Sequence, residues 1–200
     1  MHPSSSRGLS MVQRAPALML LTVDEFLRRP LPDGKAELVR GELRMTPPPG
    51  GRHGVIAGNL LLLLANYVKD NKLGRAFPDS VGYELIALPR TVRSPDVSFV
   101  QAARLPEEGI GPGLLELAPD LAVEILSPSE TASRLEEKLE DYRISGVPLV
   151  WVIDPERRTV MIVSADAPIR WLRNDDVLDG AHVVAGFTCR VADLFEGIAK

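Results

Sequence analysis

Glu124 stands in the middle of the apolar run Leu121–Leu126 (LAVEIL). An ionised carboxylate is costly to bury without a partner, so this position demands an explanation. A strand face that meets solvent or an arginine would accommodate it with no chemistry at all. Its company points further. Pro95-Asp96 introduces a second apolar segment, Asp96–Val100, upstream of it. If the two segments pair as strands, Asp96 and Glu124 lie on one face within about 5 Å, close enough to share a divalent cation. The chain holds four Pro-Asp dipeptides, and the other three suit this role less well. Pro32-Asp33-Gly34 is turn chemistry. Pro78-Asp79 falls in a loop. Asp120 is four residues from Glu124, roughly 13 Å along an extended strand, and is expected to start that strand from the surface.

Lys138 is the third member. At about 100° per residue, Leu135, Leu139 and Tyr142 form a narrow apolar stripe with Lys138 at its edge, while Glu136, Glu137 and Glu140 point elsewhere. Such a lysine can simply snorkel, its stem on the apolar surface and its ammonium in water. Delivered instead to the two carboxylates, the ammonium would orient a water or stabilise negative charge developing on phosphorus. Two acids, a hard cation and a lysine meet the needs of phosphodiester hydrolysis, which are a more acidic water and a neutralised phosphate.

Composition narrows the alternatives. The 200 residues suit one domain, and 45% apolar content provides a core. Net charge is −4 and aromatics are 5%. The charge removes the broad basic footprint of a general nucleic-acid binder, and the few aromatics weaken a reading as an aromatic platform for single strands; neither removes an enzyme gripping DNA locally around a metal. The single cysteine, Cys189, excludes an internal disulfide and a thiolate zinc cage and reads as a small buried apolar residue. No histidine pair at i, i+4 suggests zinc, and no GxxxxGK[ST], GxGxxG or GxSxG motif occurs. No run reaches the length of a membrane span. Ala15–Leu21 lacks a cleavage site, so the cytoplasm is the default location.

Residues 1–17 read as a disordered tail, within which Met11 is an alternative start, and residues 18–200 as the domain. Thr22-Val-Asp-Glu25 is a capping box opening a helix to about Arg29, before Pro30. Ala36–Met45 reads as a strand or tight hairpin about Arg40-Gly41, and His53–Asn71 as a helix buried on more than one face. Strands are expected at Val81–Leu88 and Asp96–Val100, a loop at Leu105–Pro119, and a strand at Leu121–Leu126. Then come a helix at Glu130–Ser145, a core strand at Leu149–Ile153, a turn at Asp154–Arg158 and a return strand at Thr159–Ser164. An Arg/Asp-rich loop leads to a small β region, Ala181–Val191. The order is that of an α/β sheet with helices against it.

The series AELVRGEL, His53 opening a helix, SPDVSFV, PDLAVEILSPS, a helix carrying Lys138, GVPLVWVIDP and a closing GF…VADLF resembles the Uma-two family of restriction endonucleases. That family is assigned to the PD-(D/E)XK nuclease superfamily, and the likeness runs from about Leu21 to Phe195. It implies a restriction-endonuclease-like α/β core, a central mixed β-sheet flanked by helices, and a metal-dependent endonuclease acting on DNA. By resemblance, Asp96 is the PD aspartate and Glu124 the acid of the third motif. The motif lysine should follow Glu124 by two residues, where this chain has Leu126; the resemblance therefore points to Lys138 on the next helix. Glu37 resembles the extra acid that some members supply from an N-terminal element, although a strand-edge charge reads the same way. His53 would face the site as a phosphate or water contact, or merely sit at a helix N-terminus.

The expectation is thus Mg²⁺ or Mn²⁺ held by Asp96, Glu124 and the Ile125 carbonyl, with Lys138 positioning water or stabilising charge. Arg40, Arg44, Arg52, Arg90 and Arg93 are candidates for phosphate contacts. Cutting a duplex favours a homodimer, with LVWVI and the final β region as surfaces. Two rivals stand beside this reading. One is a nuclease-derived fold without activity, serving DNA or protein interaction. The other is a metal hydrolase of small phosphorylated substrates.

Overall fold

In the computed structural model, residues 20–31, 33–128 and 130–199 are described. The expected tail at 1–17 and the alternative start at Met11 lie outside them.

The elements in chain order are α1 (Val23–Arg28), β1 (Lys35–Val39), β2 (Glu42–Thr46), α2 (Gly51–Asp70), β3 (Gly74–Pro78), β4 (Tyr83–Glu84), β5 (Val92–Arg93) and β6 (Val97–Gln101). They continue with β7 (Leu121–Ile125), α3 (Ala132–Ile144), β8 (Leu149–Asp154), β9 (Thr159–Ser164), β10 (Ala167–Leu172), β11 (Val177–Asp179), β12 (Thr188–Arg190) and α4 (Val191–Leu194). A six-stranded sheet in the order β10-β9-β8-β7-β6-β3 forms the centre. It is mixed: β7 and β8 run parallel, and the other neighbouring pairs antiparallel. The parallel pair is joined through α3, as a crossover connection requires.

Alternation along β7 divides the core. Leu121, Val123 and Ile125 face one side, where Ile56, Leu60, Leu64 and Val68 form an i, i+4 stripe along α2. Ala122 faces the other, with Val150, Val152 and Met161, under Leu135, Leu139 and Tyr142 of α3. Each helix therefore covers one face of the sheet, and the expected architecture of a mixed sheet flanked by helices is present. A smaller sheet, β2-β1-β5-β4, stands beside it. Its hairpin turns at Arg40 (φ 50°) and Gly41 (φ 88°), two consecutive left-handed residues that match the right-handed twist of the flanking strands. At Gly41 a Cβ would also come within 2.9 Å of the Leu20 side chain, so glycine is required twice over. Thr22 and Glu25 make the capping box of α1.

Several expectations need correction. Val81–Leu88 is not one strand; only Tyr83–Glu84 is, because Leu85 and Tyr83 turn into a local cluster with Phe77, Val100 and Leu115. Gly74–Pro78, whose glycine and proline argue against a strand, is the edge partner of β6. The Arg/Asp-rich segment contains strand β10, and only Thr188–Arg190 of the expected Ala181–Val191 region is extended, paired with β11. Asp120 is buried rather than at the surface, accepting from the Gln101 amide and from Arg104. LVWVI is an interior strand, buried throughout, and cannot serve as an interface between chains. Among the described residues, no helix is long and apolar enough to cross a membrane.

Cys189 is buried in the main core, and burial pushes its thiol up to about 12. The native chain should therefore stay unlabelled by iodoacetamide at pH 8 and react once unfolded in urea. Mass spectrometry reads both states, and native labelling at the rate of a free thiol would contradict this packing.

Candidate active site

Asp96 immediately precedes β6, with its amide donating to the Val123 carbonyl at 2.8 Å. Val97 pairs with Val123, so Asp96 sits beside the C-terminal half of β7, where Glu124 and Ile125 lie. Asp96 and Glu124 line one cavity of about 230 Å³ together with Lys35, Glu37, His53, Ile125, Glu130 and Lys138. The structure thus brings together all six residues singled out from the sequence. Five elements deliver them: the head of β6, the interior of β7, the first turn of α2, the middle of α3 and, through Glu37, β1.

Each acid is met by a cation or a hydrogen-bond donor. Asp96 Oδ1 lies 2.7 Å from Lys35 Nζ; Oδ2 accepts from the Ile125 amide at 2.7 Å and lies 3.1 Å from His53 Nε2. Glu124 Oε2 lies 2.8 Å from Lys138 Nζ, and Oε1 accepts from the Tyr142 hydroxyl at 2.6 Å. Glu37 accepts from the Ser94 amide and from Arg93, both at 3.0 Å. Lys138 also has Glu130 at 3.5 Å.

Burial opposes the charge on every one of these groups; the partners overcome it at Asp96, Glu37 and Lys138, whereas at Glu124 burial prevails over the Lys138 and Lys35 charges and holds the carboxyl above the ordinary range. For Asp96, burial pushes the carboxyl up, but the His53 hydrogen bond and the Lys35 charge outweigh it and hold it below the ordinary range. Burial likewise works against the Lys138 ammonium, yet Glu124 and Glu37 hold its pKa above that of a free lysine. Tyr142 is raised well above the ordinary phenol by burial and by the Glu124 charge, so it keeps the proton it donates.

Sequence reasoning missed Lys35 and cast Tyr142 only as apolar packing. A signal for Lys35 existed: it lies two residues before Glu37, on the same face of one strand. Arg93 is corrected in the other direction. Its side chain is 3% exposed and binds Glu37 and Asp141, with the Asp141 contact at 2.6 Å, so it is structural support and not a phosphate contact. Arg40 joins it on Asp141 at 2.6 Å. Glu137, expected to point away, lies 3.7 Å from Arg93. Arg44 pairs with Glu42 and Arg52 with Glu156, each remaining partly exposed. Arg90 is exposed on its loop.

Among the described residues, no three His, Cys, Asp or Glu side chains close a cage around a metal. Two carboxylates beside a cavity make an open donor set. It fits a hard cation that keeps water and substrate oxygens as ligands, such as Mg²⁺, and does not fit a closed structural zinc site.

The fold and this cluster of acids and lysines define an α/β protein with a carboxylate-centred site. Its residues 23–192 match the model of the Uma2 family, described as "Putative restriction endonuclease", and the chain belongs to that family. A crystal structure from Anabaena variabilis, of "a putative nuclease belonging to DUF820", is similar with a TM-score of 0.77 and 25% identity. The likeness covers 88% of this chain and 97% of that one. No curated protein matches the chain.

Two outcomes test the electrostatics. Replacing Arg93 by Met leaves Glu37 and Asp141 buried without their shared cation, and urea unfolding should show a loss of about 3–5 kcal/mol; an unchanged midpoint would contradict the network. Because the folded Asp96 pKa is depressed, its stabilisation is present above the unfolded value of about 3.9 and lost as pH falls through the folded one. Asp96→Asn should therefore be less stable than wild type at pH 7, with the gap closing below about pH 4. A gap constant from pH 7 to pH 2 would refute the assignment.

Proposed function

We propose that this chain is a metal-dependent endonuclease that hydrolyses DNA phosphodiester bonds. The observation that carries the reading is the meeting of Asp96 and Glu124 at one cavity with the Lys138 ammonium 2.8 Å from Glu124. Family membership and the nuclease neighbour support a nucleic-acid substrate. Asp96, Glu124 and the Ile125 carbonyl would hold Mg²⁺ or Mn²⁺, which when bound makes a water more acidic and neutralises phosphate charge.

The chain's own residues do the rest. Lys138 keeps its proton beside Glu124, so it offers a donor and a fixed positive charge to a water or to the phosphorane oxygens. Tyr142 holds Glu124 from behind, freeing that carboxylate from any choice of rotamer. Arg93 fixes Glu37 in the cavity wall. His53, on the first turn of α2, anchors Asp96 and adds a polar ring where the helix N-terminus favours anions. Lys138 takes the place of the motif lysine absent at Leu126. Cutting both strands of a duplex calls for two such sites, and a homodimer supplies them.

The assay is cleavage of supercoiled plasmid and of a matched single strand in Mn²⁺, Mg²⁺ and EDTA. Wild type should nick in either metal and not in EDTA, while Asp96→Ala, Glu124→Ala and Lys138→Ala should each lose activity by about a hundredfold or more. Folded wild type that cuts nothing in either metal would sink the reading in favour of an interaction module. Activity on phosphate esters alone would favour the small-substrate hydrolase.

A further inference from the structure

Asp96 has a donor on each oxygen. Two of the donors are fixed: the Ile125 amide belongs to β7, and the His53 ring is held at the start of α2. Lys35 on Oδ1 is different in kind. It is an ammonium on a four-carbon stem, 15% exposed, and it lines the cavity itself. A divalent cation that binds Asp96 must take the Oδ1 side, and two cations cannot crowd one oxygen without strong repulsion.

The two lysines of the site are not equivalent in this respect. Lys138 has Glu130 at 3.5 Å as a second carboxylate. For Lys35, Asp96 is the one ion-pair partner among the described residues. Once displaced, Lys35 loses its direct carboxylate contact; Glu124 and Glu37 still attract its charge from the same cavity, and a phosphate entering from outside is an anion that can meet the ammonium directly.

Resting on the metal reading above, we infer that Lys35 is a positioning residue. It is the resident counter-ion of Asp96, which the metal displaces and which then turns to the phosphate of the substrate. The exchange has two consequences. Before metal arrives, Lys35 holds the Asp96 carboxylate ionised and in place. It also weakens metal binding in the empty site, because the cation must first break an ion pair sheltered from water. Metal and phosphate therefore bind better together than apart, since the phosphate replaces the anion that Lys35 gives up.

The test is calorimetric titration of Mn²⁺ alone into the wild-type chain and into Lys35→Met, Lys35→Arg and Asp96→Asn. Lys35→Met should bind Mn²⁺ about tenfold more tightly than wild type, the equivalent of one ion pair no longer broken. Lys35→Arg, which keeps the charge, should stay near wild type, and Asp96→Asn should lose binding. A residue needed only to hold the fold would weaken metal binding when removed, so the sign separates the two roles. Equal or weaker affinity in folded Lys35→Met overturns the exchange while leaving the metal reading intact, provided wild type binds and Asp96→Asn does not. No Mn²⁺ bound by wild type or Lys35→Met overturns both.

Should Lys35→Met not fold, acetylation of the wild-type chain followed by mass spectrometry answers the same question. Adding Mn²⁺ should raise labelling at Lys35 severalfold while exposed Lys69 is unchanged. Labelling at Lys35 that does not respond to Mn²⁺ overturns the proposal.

Discussion

Three carboxylates, Glu37, Asp96 and Glu124, are buried around one small cavity, and much of the molecule is arranged to make that tolerable. A buried charge without a partner would be neutralised or would unfold the site. The elements around these acids each bring a donor to them: β1 brings Lys35, α2 His53, β5 Arg93, and α3 both Lys138 and Tyr142. The small sheet is the clearest example. It adds little to the main core, yet it delivers Lys35 and Glu37 on one strand and Arg93 on its neighbour. Arg93 in turn is anchored by Asp141 of α3, which ties the helix to the small sheet through a second buried pair.

This dependence explains why the site was legible in the sequence in part. Glu124 announced itself because a charge inside LAVEIL violates the pattern of a buried strand, and Asp96 followed from a strand-pairing geometry that the ladder between β6 and β7 bears out. Lys138 fell out of helical periodicity. Lys35 was hidden because it stands in a polar stretch where a lysine is unremarkable; only the fold shows that its ammonium is sheltered against Asp96. Arg93 is the reverse case. An arginine in a short strand looks like a surface contact until Asp141 and Glu37, distant in sequence, are seen to close on it.

The fold shows a similar division. Elements with strong local signals came through: the capping box of α1, the Arg40-Gly41 hairpin, α2, α3 and the strands β7, β8 and β9. The losses lie where tertiary pairing overrides local preference. The strand β3 contains both a glycine and a proline and exists because β6 needs an edge partner, while Val81–Leu88 has the composition of a strand but spends its apolar residues on a compact cluster with Phe77 and Leu115. The strand β10 is masked by Pro168 and Arg170, and it forms an outer edge where exposure is tolerated.

The proposed function rests on Asp96 and Glu124 together holding a metal ion. Its most direct test is a crystal soaked in Mn²⁺ and examined by anomalous diffraction at the manganese edge. One strong peak in contact with both carboxylates is the result this account predicts. A peak elsewhere in the molecule, or none beside these two residues at saturating Mn²⁺, would contradict it.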